Sequence, residues 1–355
     1  MMTMSDDDPR ALAAGLAGRN DVTGLWEIAE RHLHAGDAAF VADLGIAMWR
    51  RHGKDTSPPW QFRSAFDRML RLLTLTPGTL DQALRLIAVS PDRRHARYAA
   101  SLLASAHSAA ELEIVLRGSA AQELRACLAH ELVLRGAEAP GLGFHPLAWL
   151  PRTLTPLEGR PSLPHYHVNG GSGDVPGLSV EPFHGHGPVP PVRETTTAQD
   201  SAAIGAAVAT WAEESNGRVE ARIYALDADL HPDAVVDTLA TLDAECLGGL
   251  KSGPGPCTAT QAWEQLFLAA SGGGAYPSGA FGAYGRLLAW QSVAALVGAP
   301  PDAPAAEVEA LAHAGSWWSF AATTGWFDNI AWDVGLAVVS PDRRRLALLA
   351  ATDTD

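Results

Sequence analysis

Two His-x-His pairs, His165 with His167 and His184 with His186, stand downstream of His145. On a strand, residues i and i+2 project to the same side, so each pair can offer two imidazoles to one metal ion. Both pairs sit in Pro/Gly-rich chain with no carboxylate at a fixed helical spacing, which leaves histidines in exposed loops as the expectation, and no cofactor is expected. Asp227 and Asp229 follow the apolar segment Ala221 to Leu226 and could serve as nucleophile and acid–base pair. The run from Ser271 to Arg286 sets Gly279, Gly282 and Gly285 at steps of three before Arg286. Amides opening a helix, with an arginine beside them, suit an anion such as phosphate. The strand and G-x-G spacing of a dinucleotide loop are missing, as is the Lys-Ser/Thr of a Walker loop, and tight packing of Tyr276, Phe281 and Tyr284 explains the glycines equally well. Trp317, Trp318, Phe320, Trp326, Phe327 and Trp332 form an aromatic cluster with Asp328, Asn329 and Asp333. Alternation along a strand reads most of it as core, and a pocket is the alternative.

The charge balance bears on partners. A formal net charge of -14 argues against a phosphate-backbone partner, so no nucleic acid is expected. The only lysines are Lys54 and Lys251; Arg93, Arg94, Arg97 and Arg343 to Arg345 are local patches that read as solvated faces or anion contacts. No apolar run reaches the roughly 18 residues of a membrane span. Cys127, Cys246 and Cys257 include no CxxC pair, so no zinc knuckle or disulfide framework is indicated. The opening MMTMSDDDPR lacks the basic and apolar regions of an export signal, and a reducing cytoplasm is the expected location.

These side chains must be positioned by three regions. Residues 1–136 read as helix after helix, with Leu25, Ile28, Ala29, Leu33 and Phe62, Phe66, Met69, Leu70, Leu73 at helical spacing. Thr79, Ser90, Ser108 and Ser119 look like helix caps, and the offsets Thr79 to Ser108 and Ser90 to Ser119 are both 29 residues. The pattern resembles short HEAT-like repeats, which implies a surface for another macromolecule. Residues 137–198 are Pro/Gly/His-rich, excluding continuous helix, and are expected as a partly packed connecting segment. Residues 199–355 mix helices (200–214, 232–243, 259–270, 284–296) with strands (222–226, 317–321, 331–339, 346–351), the last two forming a hairpin about Ser340 to Arg344. The fold class is thus α+β: an all-α helical-repeat domain, then a smaller α+β domain.

Two further resemblances bear on function. ARIYALDADL resembles the first motif of haloacid-dehalogenase-type phosphohydrolases, implying that Asp227 attacks phosphorus and Asp229 acts as acid and base. Leu230 stands where that family carries Thr or Val, no downstream acidic pair is evident for magnesium, and Lys251 alone is available for the lysine role. SGGGAYPSGAFGAYGRLLAW and the stretch from Trp317 to the C-terminus resemble an uncharacterised family of actinobacterial proteins, which implies no activity. With no complete catalytic constellation, the expectation is a protein-interaction or regulatory module working through the helical surface on a protein partner. The alternative is a hydrolase of a phosphorylated small molecule, built from Asp227, Asp229 and the anion contacts Gly282, Gly285 and Arg286.

Overall fold

A computed structural model describes residues 7–90, 92–250, 253–276, 278–321 and 323–354. The chain divides into two compact units, the first holding residues up to Leu132 together with Pro164–Ser172, the second holding Val133–Leu163 and Gly173 onward. The second takes the longer share of the chain.

Among the described residues the first unit contains helices α1 (Pro9–Ala14), α2 (Thr23–His34), α3 (Ala38–His52), α4 (Trp60–Leu75), α5 (Leu80–Ile87), α6 (Arg93–Ala106), α7 (Glu113–Arg117) and α8 (Gln122–Val133), the last ending one residue into the second. Aspartates start three of them: Asp8, Asp37 and Asp92 accept from the amides of Arg10 (3.0 Å), Phe40 (3.1 Å) and His95 (2.9 Å), satisfying donors that the helix leaves unpaired. Thr79 is the N-cap residue of α5, but its hydroxyl donates back to the Thr76 carbonyl at 2.8 Å. Asp92, not Ser90, caps α6. Ser108 and Glu111 exchange amide-to-side-chain bonds of 2.8 and 3.3 Å, yet α7 begins only at Glu113. The starts of α6 and α8, Arg93 and Gln122, keep the 29-residue offset, whereas α5 and α7 do not.

Phe62, Phe66, Met69, Leu70 and Leu73 of α4 are all buried. Both α1 and α5 pack on α3. A Cβ at Gly45 would lie 2.7 Å from the Leu86 side chain, so any larger residue at this point of α3 would have to displace Leu86 of α5. Strands β1 (His165–His167) and β2 (Gly170–Ser172) form a hairpin in the same unit, its turn held by Arg68 and Arg71 donating to the Val168 carbonyl at 3.0 and 2.9 Å.

The second unit is built on an antiparallel sheet of β3 (Val192–Glu194), β4 (Arg218–Leu226), β5 (Gly255–Cys257), β6 (Ser316–Ser319), β7 (Trp332–Val339) and β8 (Arg345–Asp353) in the order β3-β4-β8-β7-β6-β5. Helices α9 (Ala198–Ile204), α10 (Ala209–Glu213), α12 (Ala259–Gly272) and α13 (Phe281–Val297) pack on it, and α11 (Val235–Thr241) joins a core with Leu346, Leu348 and Ala350. Ala347, Leu349 and Ala351, which point the other way, are equally buried, so β8 is apolar on both faces. α14 (Ala305–Ala314) completes the unit. The chain is α+β: a run of helices comes first, and the six-stranded sheet with its interleaved helices follows.

Candidate functional site

On α3, Asp43, Ile46, Ala47 and Arg50 recur at i, i+3, i+4 and i+7 and share one face. That face forms part of an open groove of ≈ 850 Å³, to which α1 adds Pro9, Arg10 and Ala13, α5 adds Arg85, and the α3 terminus adds Arg51. Ile46 is 8% exposed and Ala47 half-buried, giving the groove an apolar floor. The arginines around it are exposed. Arg85 places Nη2 2.7 Å from Asp43 Oδ1. The side chains of Arg10, Arg50 and Arg51 meet no acid among the described residues. Arg50 and Arg51 sit in the last turn of α3, where the helix dipole favours positive charge. Guanidinium groups present paired donors that match carboxylate or phosphate oxygens, so this rim can hold anionic groups while the floor accepts an apolar side chain. Sequence reading passed over these arginines because Arg10 and Arg85 are far apart in the chain; the stripe of Asp43, Ile46, Ala47 and Arg50 was the one signal available.

The residues singled out from the sequence lie elsewhere. Asp227 and Asp229 follow the end of β4 in exposed chain. Arg344 joins them, its Nε 2.7 Å from Asp229 Oδ1 and its Nη1 donating to the Asp227 carbonyl at 2.6 Å. Lys251 is outside the described residues. Gly282 and Gly285 are buried within α13, and a Cβ at Gly285 would come 2.8 Å from Ser271 Cα, so this glycine serves the approach of α12 to α13. Arg286 is fully buried. It donates to Glu158, with Nη2 2.8 Å from Oε2, and to the carbonyls of Pro151 (3.0 Å) and Thr153 (3.1 Å), while Trp290 Nε1 donates to Glu158 at 2.9 Å.

His165 and His167 are exposed on β1 of the first unit; His184 and His186 are exposed in the second, with His186 Nδ1 3.3 Å from Asp237. No group of three or more His, Cys, Asp or Glu among the described residues is arranged to hold a metal ion. Trp317, Trp318, Phe320 and Phe327 are buried, while Trp326 lies under the Arg218 guanidinium at 5.0 Å. Asp333 accepts from Thr352 Oγ1 at 2.6 Å, yet burial, with Asp328 nearby, holds its carboxyl above the ordinary value. Burial pushes the Cys257 thiol up to about 12 and raises Cys127 and Cys246, assisted by Glu123 and Glu220 respectively, so none is a ready thiolate. No helix among the described residues is long and apolar enough to cross a membrane.

A family profile of unknown function, DUF6183, matches residues 23–355, far more than the C-terminal stretch that suggested such a likeness. No curated protein and no solved structure matches the chain.

Proposed function

Because the chain belongs to DUF6183, a family of unknown function, we propose its role from geometry: it is an interaction module whose first unit binds another protein through the groove over α3. The observation that carries this reading is the set of exposed arginines, Arg10, Arg50 and Arg51, that make no ion pair among the described residues and stand around half-buried Ala47 in one groove. The helix dipole accounts for positive charge at the end of α3 but not for Arg10 beside it, and together the three cations suit recognition of an anionic partner. Nucleic acid is a poor partner for a chain of net charge -14. The alternative hydrolase would need Arg286 to leave Glu158 before it could meet a phosphate, and nothing in its buried surroundings favours that step.

Capture from native-host lysate with the full chain tests the reading. Wild-type protein should retain a defined protein that the double variant R50E/R51E loses, with both still unfolding cooperatively in circular dichroism melts. Equal capture by the two would overturn it.

A further inference from the structure

We propose that the groove takes an acidic segment of the partner protein, carboxylates on Arg10, Arg50 and Arg51 and an apolar side chain over Ala47 and the edge of Ile46; this rests on the first unit being the contact surface. Charge complementarity commits the occupant. Four arginines, Arg10, Arg50, Arg51 and Arg85, outnumber the two acids that line the groove, Asp8 and Asp43; Asp8 turns one carboxylate oxygen to the Arg10 amide at 3.0 Å as the cap of α1. The groove also contains a carboxylate–guanidinium contact of its own, Asp43 on Arg85 at 2.7 Å, which shows the geometry an incoming acid would adopt. The floor separates a peptide from a phosphate ligand. A polyphosphate or a nucleic-acid backbone offers nothing apolar to Ile46 and Ala47, and a long polyanion is repelled by a chain of net charge -14. A short acidic segment feels chiefly the local arginines, since exposed charges are screened beyond about 8 Å at physiological salt.

The test is fluorescence anisotropy of the full-length protein with the labelled peptide Glu-Glu-Leu-Glu-Glu-Leu-Glu-Glu. Saturable binding that weakens with salt is expected. R50A and R51A should each weaken it roughly tenfold, the loss of one charge-assisted contact. D43N should tighten it by freeing Arg85, and R117A, at an exposed arginine outside the groove lining, should leave it unchanged. Equal affinity of R50A, R51A and R117A would overturn the proposal. So would equal binding of a peptide with Ser in place of Leu, or tighter binding of inorganic pyrophosphate or duplex DNA. If R50E/R51E loses its captured protein while the acidic peptide fails to bind, this inference falls and the interaction reading stands; if capture is also unaffected, both fall.

Discussion

At the scale of single residues, the buried charge of the second unit is paired. Arg286 and Glu158 have no exposed side-chain area and satisfy each other, which fixes residues 151–158 against α13. Replacing Glu158 by Ala strands a buried guanidinium and should cost about 3–5 kcal/mol in urea unfolding. Adding R286M to that variant should recover much of the loss, and failure to recover would mean that the pair is not the cause. Asp92 in the first unit gives a pH signature. Burial raises its carboxyl, but hydrogen bonds from the ring and amide of His95 outweigh this and leave it below its ordinary value. A depressed carboxyl contributes stability above its unfolded value that is lost as pH falls through the folded one, so the D92N variant should lose less stability than wild type between about pH 5 and 3. An identical acid limb in circular dichroism melts would refute this. Arg286 also marks a limit of sequence reading. A glycine run ending in arginine has the look of an anion loop, and only the arrival of Glu158, 128 residues away, makes it core.

Elements were legible where local chemistry and burial agree. The strands read at 331–339 and 346–351 correspond to β7 and β8, because both are continuous apolar runs beside a turn rich in Ser, Pro and Asp. The pentapeptide SPDRR occurs at Ser90 and Ser340 with different outcomes: Asp92 caps α6, while Asp342 accepts from Ser340 Oγ at 2.6 Å and the Arg344 amide at 3.1 Å to close the β7–β8 turn. The residues C-terminal to each copy, a helical face in one case and an apolar strand in the other, decide between them. The short strands β1, β2, β3 and β5 and helix α14 escaped notice, since three-residue strands carry no period and Ala305–Ala314 lies behind a Pro-rich turn. Helix packing supplies a third prediction. G45V would press a branched side chain into Leu86, so it should lower stability by about 1–3 kcal/mol. It should also weaken partner capture by pushing α5, and with it Arg85, off α3. Unchanged melting would show that α3 and α5 tolerate separation.

For the whole molecule, recognition is proposed for the helical unit, while the sheet of the second unit carries buried side chains on both faces. The α+β class could be read from the order of helical and strand patterns, but the groove could not, because α1, α3 and α5 contribute to it from positions spread between Pro9 and Arg85. The measurement that tests this division most directly is site-specific photo-crosslinking of the full-length protein in its native host, with the probe placed in turn at Ala47 in the groove and at exposed Thr241 in the second unit. A defined protein crosslinked from Ala47, reduced by excess acidic peptide and absent from Thr241, is the predicted result. Crosslinks from Thr241 with none from Ala47 would contradict this division of roles.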